Sequence, residues 1–151
     1  MIYSDHRGYL KIIHETDDLV IKQSFSKKNV FRGLHHQSSP YEQIKFIKVL
    51  KGQIIDFQLN PYQDVNELRY FHLKPEYDWV IVPGNLAHGF LALEETIFEY
   101  ICIGKYSELD EKCYNIEASI RKKFKFENLI LSNKDKMGEE IKIDIFTKIK
   151  K

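Results

Sequence analysis

Short stretches of β-branched and aromatic residues alternate with turn-forming residues along most of the chain, and no apolar pattern of helical period is sustained before about residue 105. Residues 43–50 alternate between two faces as a strand does, and Lys51-Gly52 then turns the chain into a second run, Ile54–Leu59. We predict a β-hairpin here. Many short strands with short loops are typical of a β-sandwich or barrel. The other predicted strands are Tyr9–His14, Leu19–Ser24, Arg69–Leu73, Trp79–Val82, Gly89–Leu93 and Ile97–Ile103.

The last third of the chain has a different pattern. After Tyr106 the composition shifts toward Lys, Glu and Asp, and we predict a helix over Glu108–Ile120 and a last strand over Ile141–Phe146. The chain has 151 residues, 43% of them hydrophobic, which is enough for one core without disulfides or a structural metal. Because the sequence shows no internal repeat, low-complexity segment or linker, residues 1–151 are predicted to form a single domain.

Charge and cysteine content narrow the class of protein. The chain carries 23 basic and 22 acidic residues, a balance that argues against a broad basic surface for nucleic acid but allows a local anion pocket. No run approaches the roughly 20 apolar residues of a membrane helix, and the first residues, MIYSDHRGYLK, carry charges where a signal peptide is apolar. Cys102 and Cys113 fit a reducing compartment. We therefore expect a cytoplasmic protein with no nucleic-acid or membrane partner.

Two histidine-containing segments are candidates for chemistry, since imidazole titrates near neutrality and serves as base, acid or metal ligand. The first, Phe31–Gln37, reads FRGLHHQ and is followed within a dozen residues by Gln43 and Lys45. The second, Val82–Phe90, is a tight turn that leads His88 into the next strand. The alternative interpretation is structural: surface cations, and histidines satisfied by local hydrogen bonds.

Metal and nucleophile sites fit the sequence less well. Two metal ligands on one strand must lie two residues apart to point the same way, whereas His35 and His36 are adjacent. Glu42 and His88 alone do not complete a coordination sphere. Cys102 lies in an apolar run that gives no reason for a lowered thiol pKa, and glycine-rich phosphate loops are absent. We expect no metal and no cofactor, which leaves proton transfer inside a β-barrel.

Six groups of residues, spread in order over nearly the whole chain, give the sequence a resemblance to a known family. On these segments the chain resembles the dTDP-4-dehydrorhamnose 3,5-epimerase family, the RmlC-like sugar-nucleotide epimerases. The resemblance implies an all-β fold, a cupin-type jelly-roll barrel or sandwich, with a small, partly helical C-terminal region. The matching segments are DHRG at Asp5–Gly8, RGLHHQ at Arg32–Gln37, Gln43–Lys45 with Gly52 and Asp56, Pro83 with AHGF at Ala87–Phe90, Tyr100 with Tyr106-Ser107, and LSNKD at Leu131–Asp135.

The resemblance also implies an enzyme that inverts carbon 3, carbon 5 or both in a nucleotide-linked 4-keto-6-deoxy sugar. The ketone acidifies the neighbouring hydrogens, a base removes one to form an enolate, and an acid returns a proton to the opposite face. By resemblance His35 is the base, Asp135 its partner and Tyr100 the acid. Lys45 is then expected to stabilise the enolate oxygen, and Arg32 to bind phosphate. The other expected substrate-binding residues are His88, Gln43, Tyr106, Arg7 and Ser26.

Some of these assignments carry an alternative or a condition. Tyr100 in an apolar strand is also compatible with a core tyrosine, and Tyr106 with packing at a strand end. Arg32 and His35 are three residues apart, so both reach one pocket only if the backbone is irregular between them. Gly33 is the predicted position of that irregularity.

Several departures from the family pattern cluster on the side expected to recognise the substrate. Val20 and Lys22 stand where the family has glutamine and asparagine, and Leu10 and Ile12 where it commonly has an aromatic residue and a glutamate. A site built to hydrogen-bond one base rejects ligands that leave its polar groups unpaired. We therefore expect a GDP-linked or other non-thymidine sugar, hexose or heptose, destined for capsule or lipopolysaccharide. Further departures are a missing Asp-x-Arg after Leu59 and a shortened segment between Tyr114 and Phe126.

Two other functions stay open at this point. A sugar-nucleotide 3,4-ketoisomerase also uses histidines in a small β-barrel, although Tyr100 and Lys134-Asp135 fit the epimerases better. A cupin that binds a sugar nucleotide without chemistry is the alternative from a different class. The resemblance further implies a homodimer whose N-terminal strands are exchanged, with Arg7 reaching the neighbour's ligand.

Overall fold

The computed structural model describes residues 1–150, and two β-sheets make up most of it. Both sheets are built mainly from antiparallel pairs. In chain order the strands are β1 (Ile2–Asp5), β2 (Gly8–Glu15), β3 (Leu19–Ser26), β4 (Phe31–Gln37), β5 (Ile44–Lys51), β6 (Ile54–Leu59), β7 (Glu67–Leu73), β8 (Val80–Val82), β9 (Ala87–Ala92), β10 (Thr96–Ile103), β11 (Glu111–Asn115), β12 (Glu139–Glu140) and β13 (Ile145–Lys148).

The chain crosses repeatedly from one sheet to the other. The first sheet has six strands in the order β1-β2-β3-β10-β5-β8, and the second has seven in the order β12-β11-β4-β9-β6-β7-β13. Consecutive strands such as β4, β5 and β6 therefore lie in alternate sheets, as in a jelly roll, and the predicted all-β fold class is confirmed. Within residues 1–150, no helix is long and apolar enough to cross a membrane.

Apolar side chains of the two sheets meet in a common core. The ring of Phe98 on β10 lies 4.6 Å from that of Phe90 on β9, measured between ring centroids. Ile47 and Val49 of β5 are fully buried in the same cluster. These residues alternate along their strands with residues of the outer faces, so the period-two pattern of the sequence supplies this core. Polar residues of the same inner faces form the candidate site.

A second core lies on the outer face of the seven-stranded sheet and is covered by the C-terminal region. Helix α1 (Glu117–Phe124) buries Ile120, and the ring of Phe124 packs 6.0 Å from that of Phe57 on β6. The helix ends at Lys125, which adopts a left-handed conformation with φ 58°. A four-residue helix, α2 (Asn133–Lys136), follows. The predicted partly helical C-terminal region is confirmed.

The predicted hairpin at residues 43–59 is wrong, although both of its strands exist. β5 pairs with β10 and β8 in the first sheet, whereas β6 pairs with β7 and β9 in the second. Gly52, with φ +91°, lies at the corner where the chain passes between sheets. A Cβ at this position would lie 2.4 Å from the carbonyl oxygen of Glu95. A corner between sheets and a hairpin use the same turn residues, so the local pattern does not distinguish them.

The helix predicted over Glu108–Ile120 is wrong in its central part. Glu108–Asp110 form one 3₁₀ turn and Glu111–Asn115 form β11; the α-helix begins only after them. β11 pairs with β4, so a partner distant in sequence overrides the local helical preference. The last strand, Ile145–Lys148, is displaced from the predicted Ile141–Phe146 and pairs with β7.

Candidate active site

β4 is irregular at the predicted position. Its pairing with β9 shifts register between Arg32 and His35, and Gly33 has φ +113°, a conformation that residues with a Cβ rarely adopt. A Cβ on Gly33 would lie 2.7 Å from Cα of Gly89, so the two strands approach closely because both positions are glycine. The partners of Arg32 and His35 on β9 are two residues apart. Both side chains therefore face the inner side of the sheet.

His35 and Asp135 form a hydrogen-bonded pair. His35 Nε2 lies 2.7 Å from Asp135 Oδ1, and the backbone N–H of Gly33 donates to Oδ2 at 3.2 Å. Asp135 is 1% exposed and sits in α2, where its backbone N–H donates to the N-cap Ser132 Oγ at 3.1 Å. Burial raises the pKa of Asp135, but its hydrogen bonds, above all the one with His35, lower it more. The net pKa is below the ordinary value, so Asp135 is ionised at neutral pH.

This pairing fixes which nitrogen of His35 is free. Because a carboxylate only accepts hydrogen bonds, Nε2 carries the proton that it donates to Asp135. In the neutral ring Nδ1 then holds a lone pair, and no group of residues 1–150 hydrogen-bonds to it. The side chain of His35 is 33% exposed. The arrangement is that of a general base whose tautomer and developing positive charge are supported by a carboxylate.

A second histidine–carboxylate pair lies beside the first. His88 Nε2 is 2.5 Å from Asp56 Oδ1, and Gln58 Nε2 donates to Asp56 Oδ2 at 3.1 Å. His88 is the cross-strand partner of His35, so both histidines face the same side. Asp56 had no predicted role. The available signal was a carboxylate within the apolar stretch Ile54–Leu59, since a buried charge is costly unless it is paired.

Tyr100 lies on the sheet opposite the histidines. It follows Phe98 by two residues on β10, and the two ring centroids are 5.5 Å apart. Burial raises the pKa of Tyr100, and nearby arginines, including Arg32, oppose that shift only in part. The phenol is therefore protonated at neutral pH, as a proton donor must be. Lys22 places its Nζ 5.7 Å from the centroid of the Tyr100 ring.

Lys45 is enclosed between the two sheets. It lies opposite Cys102 in the pairing of β5 with β10. Burial lowers the pKa of Lys45 and so does the charge of Lys22, whereas the carboxylates of Glu111 and Asp56 on the facing sheet raise it. Its ammonium group makes no hydrogen bond or ion pair within residues 1–150. Such a group is suited to stabilise an oxyanion that forms between the sheets.

Arg32 connects the two sheets, because it lies on β4 and its guanidinium contacts β3 of the other sheet. Its Nε donates to Ser26 Oγ at 2.9 Å and its Nη2 to the carbonyl oxygen of Phe25 at 3.1 Å. Burial lowers the pKa of Arg32, while the negative charges of Tyr100 in its ionised form and of Asp135 act to raise it. Ser26, which was expected to bind substrate, is fully buried and holds the guanidinium in place. Sequence reasoning identified Ser26 without indicating this contact.

Arg7 and Gln43 have partners within the chain. Arg7 is ion-paired with Asp5 at 2.7 Å, and its charge lowers the pKa of Arg32. Arg7 is thus close to the pocket of its own chain. Gln43 Nε2 donates to the carbonyl oxygen of Gly104 at 3.1 Å, which fixes the start of β5 against the end of β10.

Strand β11, whose residues were predicted to be helical, adds groups beside Asp135. Glu111 is ion-paired with Lys134 and hydrogen-bonded to Tyr106, which is 53% exposed. Cys113 Sγ donates to Asp135 Oδ1 at 3.3 Å. Burial and the negative charge of Asp135 raise the pKa of the Cys113 thiol to about 12. Neither Glu111 nor Cys113 was identified from sequence, because their strand was assigned as helix.

Two histidines on one sheet, each hydrogen-bonded to a buried carboxylate, face a protonated tyrosine and a lysine on the other sheet. This arrangement is typical of a jelly-roll enzyme for proton transfer at carbon. A family model described as dTDP-4-dehydrorhamnose 3,5-epimerase matches residues 2–142. The chain belongs to this family. It is therefore a sugar epimerase of the isomerase class, and the resemblance drawn from its motifs is confirmed.

Relatives in several organisms support this assignment. A dTDP-4-dehydrorhamnose 3,5-epimerase from Shigella flexneri is 27% identical over 156 residues, which cover 92% of this chain and 86% of the relative. The crystal structure of an enzyme of the same name from Sulfolobus tokodaii is 28% identical with a TM-score of 0.65, covering 92% of this chain and 85% of that one. RmlC from Legionella pneumophila, solved with dTDP-4-keto-L-rhamnose, is 26% identical with a TM-score of 0.67, covering 93% and 84%.

Proposed function

We propose that this epimerase inverts carbon 3, carbon 5 or both in a nucleotide-linked 4-keto-6-deoxy sugar. The observation that carries the proposal is the His35–Asp135 pair, whose lone-pair nitrogen Nδ1 lies on the sheet that faces Tyr100. The Legionella relative was solved with a 4-keto sugar nucleotide, which supports this substrate class. No cofactor enters the proposed reaction, because the ketone of the substrate itself acidifies the neighbouring hydrogens.

The first step is removal of a proton by His35. Nδ1 takes the hydrogen from the carbon next to the ketone, the C–H electron pair forms the enolate, and His35 becomes an imidazolium. Asp135, ionised and hydrogen-bonded to Nε2 at 2.7 Å, stabilises that positive charge. The enolate oxygen carries the negative charge, and Lys45, which lies between the sheets, is the residue proposed to bind it.

The second step returns a proton to the opposite face of the sugar ring. Tyr100 is protonated at neutral pH and lies on the opposite sheet, so it is the proposed acid. Arg32, held by Ser26 and Phe25, is proposed to bind the diphosphate. His88 would line the pocket next to His35. Gln43, Tyr106 and Arg7 would contribute to its rim.

We further propose that the sugar of the substrate is linked to a nucleotide other than a thymidine nucleotide. Val20 and Lys22, which replace the family's glutamine and asparagine, lie on β3 directly opposite Cys102 and Tyr100 of β10. The recognition changes are thus adjacent to the proposed acid and not at a remote surface. A GDP-linked hexose or heptose, made for capsule or lipopolysaccharide, is the proposed substrate.

Deuterium incorporation tests these proposals directly. The protein is incubated in deuterium oxide with GDP-linked and with dTDP-linked 4-keto-6-deoxy sugars, and product masses are measured. We expect one or two deuterons to enter the GDP-linked sugar, one for each carbon that exchanges. A clear preference for the dTDP-linked sugar contradicts the nucleotide proposal, and a product in which the ketone has moved identifies a ketoisomerase.

A histidine variant and its control assign the base. His35→Asn should lower incorporation about 10²- to 10⁴-fold while ligand binding, measured by calorimetry, is retained. His14→Asn, at an exposed position on β2, should incorporate deuterium at the wild-type rate. If His35→Asn keeps full incorporation, His35 is not the base.

We also propose a homodimer in which the N-terminal strands are exchanged. β1 forms an edge of the six-stranded sheet, and it exposes the apolar side chains of Ile2 (59%) and Tyr3 (53%). An exposed apolar edge strand is a site for pairing with another chain.

Both cysteines are free thiols, which supports the proposal of a reducing, cytoplasmic location. The protein is proposed to be a single domain.

A further inference from the structure

We infer that His35, Cys113 and Asp135 form a binding site for Zn²⁺, and that zinc bound there inhibits the enzyme. His35 Nε2, Cys113 Sγ and a carboxylate oxygen of Asp135 all lie within 4.8 Å of one another. The carboxylate oxygen Oδ1 is shared, at 2.7 Å from Nε2 and 3.3 Å from Sγ. Imidazole, thiolate and carboxylate are the three ligand types that Zn²⁺ uses in proteins.

The separations suit a small tetrahedral ion. Zinc–ligand bonds of about 2.0–2.3 Å in a tetrahedral site place the ligand atoms roughly 3.3–3.8 Å apart. The Cys113–Asp135 separation of 3.3 Å already has this value, and the His35–Asp135 separation of 2.7 Å must widen by about 0.6 Å. Rotation of the partly exposed His35 ring supplies that movement. Water would complete the coordination sphere as the fourth ligand.

Zinc replaces a hydrogen on each of two ligand atoms, Cys113 Sγ and His35 Nε2. The Cys113 thiol loses its proton to solvent and becomes the thiolate ligand. Nε2 of His35 gives up the hydrogen that it shares with Asp135, and in the neutral ring that hydrogen moves to Nδ1. One proton is therefore released for each ion bound, and no electron changes hands. The negative charge of Asp135, which opposes ionisation of Cys113, attracts the dication instead.

Inhibition follows from the change of tautomer and rests on the proposed function of His35. With zinc on Nε2, the neutral imidazole carries its hydrogen on Nδ1, so the lone pair that would remove the substrate proton is gone. Asp135 is at the same time withdrawn from the imidazolium that it would stabilise. Zinc acts here as an inhibitor and not as a catalyst, because it occupies His35 Nε2 in place of the hydrogen.

The local charges favour zinc over hard cations. A cysteine ligand selects zinc and similar metals over Mg²⁺ and Ca²⁺, which prefer oxygen. Glu111 adds negative charge near His35, since the charge of His35 lowers the pKa of Glu111. The nearby cation Lys134 is ion-paired with Glu111, so its repulsion of a metal ion is reduced.

Cobalt provides a direct readout of the site that does not depend on activity. Reduced, metal-free protein is titrated with Co²⁺, and we expect a thiolate-to-cobalt charge-transfer band that saturates at one equivalent and disappears when Zn²⁺ is added. Cys113→Ser and Cys113→Ala should lack the band. Cys102→Ser, a buried cysteine outside the cluster, should keep it. Circular dichroism establishes that each variant is folded.

Wild-type protein alone is also decisive, should the variants fail to fold: Zn²⁺ is expected to release about one proton per ion bound, measured with a pH indicator. Absence of a band in the wild type, or an equal band in folded Cys113 variants, overturns the site.

Inhibition is measured by deuterium incorporation with and without Zn²⁺. The zinc concentration for half-inhibition, relative to each protein's own metal-free rate, should rise at least about tenfold in Cys113→Ser, and a chelator should restore the wild-type rate. Equal inhibition of wild type and Cys113→Ser refutes the inhibitory role. A cobalt band in a protein without metal-free incorporation contradicts the proposed epimerisation but leaves the metal site in place, so the two failures are distinguishable.

Discussion

Asp135 on helix α2 and Asp56 on strand β6 are buried carboxylates, and each accepts a hydrogen bond from a histidine and from at least one further donor. A buried carboxylate without such partners costs several kcal/mol. The partners therefore explain how the fold tolerates both charges, and they also fix the orientation of both imidazoles. Stability and chemistry consequently depend on the same contacts.

Stability at acid pH should depend on Asp135. Its pKa in the folded protein is below the ordinary value, so its stabilising contribution is complete above the unfolded pKa of about 3.9. The contribution is lost as the pH falls from there through the lowered folded pKa. We expect the free energy of unfolding of wild type to exceed that of Asp135→Asn at pH 6, and the difference to narrow below about pH 4. Urea unfolding at several pH values measures it.

Asp17→Asn, at an exposed turn between β2 and β3, is the matched control for this experiment. The prediction is contradicted if the difference in free energy of unfolding between wild type and Asp135→Asn stays constant down to pH 3. Asp135 would then not be preferentially ionised in the folded state.

Val20 and Lys22 are the residues at which nucleotide preference should be adjustable. Val20→Gln combined with Lys22→Asn restores the family's polar groups opposite Cys102 and Tyr100. We expect the ratio of kcat/KM for dTDP-linked over GDP-linked sugar to rise about tenfold, because the added donors and acceptors are paired by only one of the bases. Gln23→Asn, on the opposite face of the same strand, is the control. Equal losses on both substrates, with an unchanged ratio, count against the nucleotide proposal.

At the scale of elements, the irregular strand β4 determines where Arg32 and His35 point. Gly33→Ala forces a side chain into a positive-φ conformation and against Cα of Gly89, at 2.7 Å. We expect a loss of at least about 1–3 kcal/mol in the free energy of unfolding, measured with urea, and reduced deuterium incorporation. Gly84→Ala is the control, since Gly84 lacks a positive φ and its added Cβ would meet mainly the side chain of Glu42 at 3.0 Å. Equal losses in both variants contradict a special role for Gly33.

This irregularity was predictable from sequence because it follows from a spacing. Arg32 and His35 were assigned to one pocket, three residues apart, and only a distorted strand with a glycine between them satisfies both conditions. Most strands were predictable for a similar reason, since alternation along a strand is a local property. β2, β3, β7 and β10, for instance, lie where the sequence places them.

Pairing partners were not predictable, because they depend on residues far apart in the chain. The turn at Gly52 was interpreted as a hairpin although it joins two sheets. β11 was interpreted as helix because its partner, β4, lies more than 70 residues away. The error at β11 concealed Cys113 and Glu111, so one misassigned element removed two residues from the predicted site. Asp56 lay in a correctly predicted strand, but its partner His88 was 32 residues distant.

At the scale of the whole molecule, one hydrophobic core lies on the outer face of the seven-stranded sheet and the other lies beside the pocket. The outer core, covered by α1, is a cluster of hydrophobic residues that includes Phe57 and Ile120, whereas the inner core contains Phe90 and Phe98 and adjoins Tyr100 of the pocket. The C-terminal region nevertheless serves both, because it contributes Asp135 through α2 as well as the cover of the outer core. Its length between Tyr114 and Phe126 is therefore constrained by packing and by the site.

The homodimer makes a prediction about the complete assembly. Wild-type protein should sediment at twice the chain mass of 18.0 kDa in analytical ultracentrifugation. Ile2→Lys combined with Tyr3→Lys places two charges on the apolar edge of β1 and should yield monomers. Leu109→Lys, at a position that is 98% exposed, should remain dimeric. A stable wild-type monomer with full deuterium incorporation refutes the dimer.

Strand exchange is separable from dimerisation by mixing two variants, Arg7→Ala and His35→Asn, each of which is expected to lose deuterium incorporation by itself. If Arg7 serves the neighbour's ligand, a heterodimer of Arg7→Ala and His35→Asn chains has one pocket with both changes and one with neither. An equal mixture, refolded together, should then recover about a quarter of the wild-type incorporation, since half of the dimers are mixed and half of their pockets are intact. If no activity returns, every pocket carries one change, which means that Arg7 serves the pocket of its own chain and contradicts the exchange.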